Sequence, residues 1–343
     1  MRRATLLVAV VGLLVGCGGG SEQVRERDVV VGGPPTTPTD RDREPRSLDA
    51  DATEVRIAVV THGQAASGFW AIVKNGVDAA ARETDVTAVY RSPDAYSITR
   101  MRQLIDQAVA AQPDGLVVSI PSPALGGAIR RAVRAGIPVV SVNSGSDVYR
   151  RLGVLAHVGQ EEDRAGAAAG RRMAASGVRH AVCLNHEPGN VGPDTRCRSF
   201  VAAMRAAGAR AESLAVDVRD PGNGRRQVRA ALTDATIDGF LTLSSDGAAV
   251  ALDEVRPAPA GRKIELGTFD LSPEILRAVK AGTIAWAIDQ QAYLQGYLPI
   301  LLLAQRVRFG LFPDQGEVIA TGPHFVTART ADQATRLSQQ GIR

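Results

Sequence analysis

The sequence predicts an α/β fold with two doubly wound domains, each built on a parallel β-sheet that helices cover on both faces. Two observations carry this prediction. Short β-branched runs alternate repeatedly with segments whose apolar residues recur every three or four positions, the patterns typical of buried strands and amphipathic helices. The connections are short, and such alternation requires parallel strands with helical crossovers. Because the alternation runs twice along the chain, we expect two similar domains.

The first run of alternating elements extends from residue 54 to residue 145. Its opening strand, 54–63, is a β-branched run that ends in glycine, as buried strands often do. Helix 69–83 follows, because Trp70, Val73 and Val77 share one helical face. The later elements alternate in the same manner: strand 86–92, helix 97–112, strand 113–123, helix 124–136 and strand 137–145.

The second run begins after the segment 155–160 and ends in a long helix. Its first element is an alanine-rich helix, 161–176. The elements that follow are strand 179–187, helix 194–208, strand 210–218, helix 225–236, strand 237–246, helix 247–256, strand 263–270, helix 272–282 and strand 283–290. Helix 291–312 closes the run, and the residues predicted for its buried face are Tyr293, Leu294, Tyr297, Leu298 and Leu301.

Residues 1–16 have the pattern of a secretory signal peptide. A basic segment, Met1–Arg3, precedes the apolar stretch Ala4–Gly16, which is too short to span a bilayer comfortably. The sequence LVGC at 14–17 then matches a lipobox, in which the thiol of Cys17 accepts a diacylglyceryl group. The alternatives are an ordinary cleaved signal and a short anchor with a chance cysteine. The lipobox predicts a lipoprotein of the cell envelope, on the outer face of the cytoplasmic membrane or in the periplasm.

Residues 17–53 are predicted to form the lipidated cysteine and a flexible tether. Glycine, proline, threonine and charges of both signs dominate this segment. Such a composition buries too little apolar surface to offset the entropy lost on ordering. We therefore expect the folded part of the chain to stand off the membrane.

Charge and motifs exclude several classes of function. The formal net charge is only +4 for 343 residues, so charge gives no indication of a nucleic-acid partner. The sequence contains no GxxxxGK phosphate loop, no HExxH helix and no GxSxG nucleophile elbow. We therefore predict no catalytic residue, no metal site and no cofactor, and a protein that is not an enzyme.

Two cysteines remain besides Cys17, and their pairing is open at the level of sequence. Export would place Cys183 and Cys197 in an oxidising compartment, where a disulfide is allowed. It would close a loop of about 15 residues and contribute roughly 3 kcal/mol in the chain-entropy model. The alternatives are free thiols and a metal site that includes His186, but a structural zinc site normally has four ligands.

The ends of the predicted strands carry many hydrogen-bonding side chains. In open parallel sheets, ligands bind outside the carboxyl ends of the strands. The polar and aromatic residues near these ends are Thr61, His62, Ser67, Phe69, Trp70, Asn143, Ser144, His186, Glu187, Asn190, Arg196, Ser245, Asp246, Asp270, Asp289 and Gln290. Carboxylates and amides can hold vicinal hydroxyls, and aromatic faces can cover a sugar ring, so a neutral polyhydroxylated ligand fits this set. The alternative for any one serine or Asx residue is that it caps the next helix.

Six sequence segments resemble the ribose/galactose-type periplasmic sugar-binding proteins of ABC importers. The segments are AVVTHG with SGFWAIVKNG, DGLVVSIPSP with IPVVSVNS, RCRSF, TLSSDGAAVAL, LGTFDLSPEILRAVKAGTI and AIDQQAYLQGY. The resemblance spans about 55–330. It implies the type I periplasmic binding fold, in which two Rossmann-like domains are joined by a three-strand hinge and close on ligand in the cleft between them, like a Venus flytrap.

The resemblance also implies roles for individual residues. Phe69 and Trp70 would stack on the ring, and Asn143 and Arg196 would bind hydroxyls. The full predicted ligand-binding set is Ser67, Phe69, Trp70, Asn143, His186, Glu187, Asn190, Arg196, Ser245, Asp246, Asp270 and Gln290. The chain departs from the family where Asn143–Ser144 replaces an Asp–Arg pair and Ser245 replaces Asn, so ribose specificity is not expected.

The family topology implies discontinuous lobes. The N-terminal lobe would comprise 55–157 and 291–312, and the C-terminal lobe 158–290 and 313–330. The crossings between lobes would lie near 157, 290 and 313. Ligand would stabilise the closed form.

The main hypothesis is a monomeric, lipid-anchored solute-binding protein that delivers a sugar or polyol to the permease of an ABC importer. The alternative is a sugar-sensing module that presents ligand state to a histidine kinase or chemoreceptor. A lactose-repressor-type regulator would need a helix-turn-helix where the lipobox lies. A glycosidase would need two carboxylates flanking the scissile bond, and this pattern does not require them.

Overall fold

The computed structural model describes residues 54–63, 68–256, 262–313 and 316–343. The predicted signal peptide, Cys17, the tether and Ser67 lie outside the described residues. Within them the predicted α/β fold is confirmed, because the strands form two six-stranded sheets with α-helices between most successive strands.

Each sheet collects strands from more than one part of the chain. The first sheet has the order β11-β5-β4-β3-β1-β2, and the second has the order β12-β10-β9-β8-β6-β7. The first comprises β1 (Arg56–Val60), β2 (Thr87–Arg91), β3 (Gly115–Ser119), β4 (Val139–Val142), β5 (Ala156–Gly159) and β11 (Val318–Ala320). The second comprises β6 (His180–Asn185), β7 (Arg210–Ala215), β8 (Gly239–Thr242), β9 (Glu265–Phe269), β10 (Trp286–Asp289) and β12 (His324–Val326).

All pairings are parallel except the one between β10 and β12. We call each sheet with the helices packed on it a lobe. The helices are α1 (Gly68–Glu83), α2 (Ile98–Ala110), α3 (Gly126–Arg134), α4 (Glu162–Ala175), α5 (Val191–Ala206), α6 (Pro221–Ala231), α7 (Ser245–Val255), α8 (Pro273–Lys280), α9 (Ala292–Phe309) and α10 (Ala331–Gln339). Side chains of Ser97, Asn190, Asp220, Ser244 and Ser272 cap five of them.

Two helices carry the chain from one sheet to the other lobe. The chain leaves the first sheet after β5 and enters α4, which packs against α5 in the second lobe. It leaves the second sheet after β10 and enters α9, which packs against α1 and against β3, β4 and β5 in the first lobe. The position that follows each of these strands is a glutamine, Gln160 and Gln290.

One predicted lobe boundary needs correction. The prediction assigned 313–330 to the C-terminal lobe, but Val318–Ala320 pairs in parallel with His157–Gly159 at the edge of the first sheet. The last crossing therefore lies between β11 and β12, where the Gly322–Pro323 peptide bond is cis. His157 lies inside β5, so the first crossing follows Gly159. A strand of three residues is too short to show a period in sequence.

The buried face of α9 also differs from the prediction. Tyr293, Leu294, Tyr297, Leu298 and Leu301 are only half-buried. The fully buried positions include Gln295, Gly296, Pro299, Ile300 and Leu303. Gly296 faces α1 so closely that a Cβ atom would lie 1.9 Å from the carbonyl oxygen of Val73. The helix thus turns its smallest residue toward its neighbour, where apolar bulk would not fit.

A similar contact joins α4 to α5 in the second lobe. A Cβ on Gly166 would lie 2.2 Å from the carbonyl oxygen of Arg196, and one on Gly170 would lie 2.7 Å from that of Phe200. These glycines allow the two helix backbones to touch. No helix in the described part of the chain is both long and apolar enough to cross a membrane.

Candidate ligand-binding site

The carboxyl ends of strands from both sheets meet where the two lobes are in contact. Parallel sheets place the loops that follow their strands at one edge, and here both edges face each other. The polar residues at this junction are His62 after β1, Asn143 and Ser144 after β4, Gln160 after β5, His186 to Asn190 after β6, Asp270 after β9 and Gln290 after β10.

Asn190 bridges the lobes. Its Oδ1 accepts a hydrogen bond from Ser144 Oγ at 3.1 Å, and its Nδ2 donates to His62 Nε2 at 3.2 Å. Beside it, the backbone N–H of Val191 donates to the carbonyl oxygen of Pro121 at 3.0 Å. Asn190 also caps α5, so this residue combines the capping role, considered above as an alternative, with a place in the cluster between the lobes.

His62 is held as a neutral donor and acceptor. Its ring contacts Ser119 Oγ at 2.9 Å through Nδ1 and Asn190 through Nε2. Because the amide Nδ2 can only donate, the proton of the neutral ring belongs on Nδ1. Burial lowers the pKa of His62 to about 4. Glu187 accepts from Asn190 Nδ2 at 2.7 Å and completes the cluster.

Arg196 lies at the centre of the second-lobe side of the junction. Its guanidinium donates to both carboxylate oxygens of Glu162, at 2.8 Å from Nη2 to Oε1 and at a shorter distance from Nε to Oε2. Nη2 also donates to Gln290 Oε1 at 3.0 Å. The guanidinium carbon lies 4.9 Å from the centre of the Phe269 ring. Burial alone would lower the pKa of Arg196, but the charge and hydrogen bonds of Glu162, together with Asp270 and Glu187, outweigh burial and raise that pKa.

Asp270 extends the same network. Its Oδ1 accepts from Gln290 Nε2 at 2.5 Å. Burial raises the pKa of Asp270 to about 7, although Arg196 and Gln290 both favour the charged form. The backbone of Asp270 is left-handed, with φ of 68°, a conformation that Asx residues tolerate better than most.

Asn143 holds the corresponding position in the first sheet. It follows β4 as Asp270 follows β9, and its φ is 62°. Its Nδ2 donates to Gln295 Oε1 at 3.1 Å, while Gln295 Nε2 donates to the carbonyl oxygen of Gln290 and to Thr321 Oγ1. The two lobes therefore present matching strand ends to each other, and Gln295 links them at the crossing.

The two predicted stacking aromatics differ in their surroundings. Trp70 is buried, packs with Val73 and Ala292, and meets the His62 ring edge-on at 4.8 Å between centroids. Phe69 is half-buried and borders a small cavity between the lobes. The residues that line this cavity are Phe69, Ile72, Asp270, Leu271, Asp289, Gln290, Ala292 and Arg343. Phe69 is therefore the aromatic residue that borders this cavity directly.

Two buried polar atoms at the junction have no hydrogen-bond partner within the described residues. They are His186 Nδ1 and Gln160 Oε1. Buried polar groups are nearly always paired, so an unpaired donor or acceptor beside a cleft is a candidate for a ligand hydroxyl. Burial lowers the pKa of His186, so its ring is neutral at pH 7.

The structure does not bring every predicted residue into this network. Ser245 and Asp246 form the first turn of α7, where Ser244 is the capping residue and Asp246 is exposed. Neither takes part in the hydrogen bonds described above.

Sequence reasoning missed several residues of the network, including Glu162 and Gln160. Glu162 lies in the first turn of a helix, where an acidic residue is expected for the dipole alone. The sequence signal for Gln160 was that a glutamine directly follows its strand, as Gln290 does: the two segments read HVGQ and AIDQ.

The predicted disulfide is confirmed. Cys183 in β6 and Cys197 in α5 are bonded, with their Cα atoms 5.6 Å apart. Their bond closes the segment that carries His186, Glu187, Asn190 and Arg196. Among the described residues, no group of three His, Cys, Asp or Glu side chains could hold a metal ion.

Two α/β lobes that meet across a polar cleft define a two-domain ligand-binding protein. Residues 57–310 match the family model described as the periplasmic binding protein domain, and the chain belongs to this family. A carbohydrate transporter from Acidothermus cellulolyticus 11B, solved in complex with myo-inositol, is 34% identical with a TM-score of 0.79. The alignment covers 85% of this chain and all of that one, at 100%.

More distant relatives include one solved structure with the same fold and one protein that is similar in sequence. A solute-binding protein of an ABC transporter from Burkholderia graminis C4D1M, in complex with D-arabinose, has a TM-score of 0.73 at 22% identity, covering 82% of this chain and 97% of that one. The xylose/arabinose-binding protein of Sulfolobus acidocaldarius is 23% identical over 78% of this chain and 72% of its own length.

Proposed function

We propose that the chain is an extracytoplasmic binding protein that captures a neutral sugar or polyol between its lobes and delivers it to the permease of an ABC importer. The observation that carries the proposal is the junction itself. Both lobes supply amide and imidazole groups to one buried cluster and the second lobe adds carboxylates, while two polar atoms in it, His186 Nδ1 and Gln160 Oε1, have no hydrogen-bond partner among the described residues. Ring hydroxyls, which both donate and accept, match such a set.

Cyclitols are the first ligands to test. The relative at 34% identity was solved with myo-inositol, whereas the Burkholderia graminis protein was solved with D-arabinose and the Sulfolobus acidocaldarius protein is named for xylose and arabinose. A cyclitol presents hydroxyls around the whole ring, which suits donors and acceptors that approach from two lobes. We propose binding without turnover, so a bound cyclitol or glycoside should be recovered unchanged.

The test is a titration of the purified mature protein with myo-inositol, D-galactose, D-xylose and L-arabinose by calorimetry. Asp270→Ala and Gln290→Ala should each weaken the best ligand by about tenfold or more, because each removes a buried group that would otherwise bond a hydroxyl. Asp253→Ala is the matched control, since Asp253 is an exposed carboxylate on α7. If none of the four compounds binds, or if both variants bind like wild type, this assignment of the cleft is wrong.

Lipid anchoring is a separate part of the proposal. The LVGC segment at 14–17 supports a lipid on Cys17. Cys17→Ser should move the protein from the membrane fraction to the soluble fraction of cells that express the full chain. Retention of the variant in washed membranes would contradict the anchor and leave the ligand proposal untouched.

A further inference from the structure

The Glu162–Arg196 pair is the most deeply buried ion pair of the cleft. Both side chains are only 4% exposed. The guanidinium uses Nε and Nη2 in a two-point contact with the carboxylate, and Nη2 also reaches Gln290. A bidentate pair of this kind fixes the orientation of the arginine as well as its charge.

The backbones behind the pair are in close contact. Glu162 begins α4 and Arg196 lies in α5, and Gly166 brings α4 to within 2.2 Å, measured from a Cβ built on it, of the Arg196 carbonyl oxygen. The position of the pair is therefore fixed in two ways: by its own hydrogen bonds and by the packing of α4 against α5.

Helix stability alone does not account for a buried glutamate here. An acid in the first turn of a helix stabilises it modestly through the dipole, and it does so from the surface. Asp163 occupies the next position of the same turn and is exposed. Burying the Glu162 carboxylate costs free energy unless it is paired, so its burial calls for a reason other than the stability of the helix.

The charges near Arg196 supply that reason. Three carboxylates act on the guanidinium: Glu162, Asp270 and Glu187. His62 and His186 add no positive charge, because burial keeps both rings neutral. Of these three, Glu162 is the carboxylate that hydrogen-bonds the guanidinium, with both of its oxygens, whereas burial raises the pKa of Asp270 to about 7.

Building on the proposed function, we propose that Glu162 is a specificity-determining residue that neutralises Arg196, so that the cleft accepts neutral polyhydroxylated rings and rejects ring carboxylates. Glu162 acts through Arg196 and is a positioning residue. Without Glu162, the free guanidinium would attract a sugar carboxylate as readily as it now holds the protein's own.

The experiment compares neutral and anionic six-membered rings in wild type and in Glu162→Gln. The neutral probes are myo-inositol and D-galactose, and the anionic probe is D-galacturonate, all titrated by calorimetry. The wild-type protein should bind D-galacturonate at least about a hundredfold more weakly than the better neutral probe, since placing like charges together costs several kcal/mol. In Glu162→Gln this ratio should fall by about tenfold or more.

Glu161→Gln is the matched control. Glu161 is adjacent, carries the same charge and pairs with the exposed Arg164, so its ratio should stay at the wild-type value. A merely structural role for Glu162 would weaken all probes alike and leave the ratio unchanged, which would overturn the inference.

The wild-type comparison needs no substitution, so it can overturn the inference even if Glu162→Gln does not fold. Wild-type protein that binds a neutral probe and D-galacturonate equally overturns the role of Glu162 alone. Wild-type protein that binds D-galacturonate but neither neutral probe overturns both this inference and the proposed neutral ligand. Binding of neither class overturns the proposed function.

Discussion

The disulfide between Cys183 and Cys197 should contribute to both stability and affinity, and its removal tests how the cleft is built. The bond spans a sequence separation of 14. In the chain-entropy model, a closed loop of about 15 residues lowers the free energy of the folded state by about 3 kcal/mol relative to the unfolded chain. Cys183→Ala combined with Cys197→Ala should therefore reduce the free energy of unfolding by about this amount. At about 2 °C or more per kcal/mol, the midpoint temperature should fall by roughly 6 °C or more.

The same variant should bind ligand more weakly. The disulfide joins β6 to α5, and the segment between them presents Glu187 and Asn190 to the first lobe. Without the bond, closure must order more of this segment, and each side chain that is immobilised costs about 0.5–1.5 kcal/mol. We expect the dissociation constant for the best neutral ligand to rise by about tenfold.

Urea unfolding of four samples checks the reasoning: wild type and the double variant, each with and without dithiothreitol. Reduction should lower the midpoint of wild type to that of the double variant and should leave the double variant unchanged. Equal midpoints for oxidised and reduced wild type would refute the chain-entropy argument. A normal affinity in the destabilised variant would refute the link between the bond and the cleft.

Three further predictions follow from the described contacts. In ligand-free protein, Asp270→Asn should gain stability relative to wild type as pH rises from about 4 to 7. The reason is that the folded Asp270 carboxyl, with its pKa raised from 3.8 to about 7, keeps a proton that the unfolded chain releases, so wild type loses stability over this range. Urea midpoints across pH test this, and a difference between the two proteins that does not change with pH contradicts it. Gly166→Ala should lower the free energy of unfolding by about 1–3 kcal/mol through the clash with Arg196, whereas Gly127→Ala, whose Cβ would lie 3.7 Å from the flexible end of Arg131, should be neutral or stabilising. Arg343→Ala should weaken ligand binding a few-fold, about 1 kcal/mol or less, because Asp289 loses its ion pair at 2.9 Å; an unchanged affinity by calorimetry counts against this role.

The alternation of strand and helix could be predicted from the sequence because it depends only on the spacing of apolar residues. Fully buried strands such as β3 and β6 contain apolar runs, LVV and AVCL, and amphipathic helices such as α2 show one apolar face. Both patterns follow from the architecture of a covered parallel sheet. The polar strand ends Asn143, Asp270 and Gln290 could be located for the same reason, since they close recognisable strands.

Other features depended on distance in space and left little trace in sequence. The face of α9 was misassigned because Gly296 and Gln295 are buried for close approach and for hydrogen bonding, while the large residues Tyr297 and Leu298 are only half-buried. Glu162 could not be told from an ordinary first-turn acid without its partner in α5. β11 was assigned to the wrong lobe because three residues carry no period.

The exchange of segments between the sheets has a consequence for the order in which the chain can fold. The first lobe is not complete in the first half of the sequence, because α1 waits for α9 to pack against it and β5 waits for β11 at residues 318–320. A chain that is synthesised from its amino end therefore exposes the unpaired edge of β5 in the first sheet until nearly the whole chain has been made. The second lobe receives α4 before its own first strand is made, but its edge strand β12 is also made last. Completion of both lobes is thus tied to the final segment of the chain, and a truncation before β11 should damage the first lobe as well as the second, although most of the first lobe lies far from the truncation in sequence.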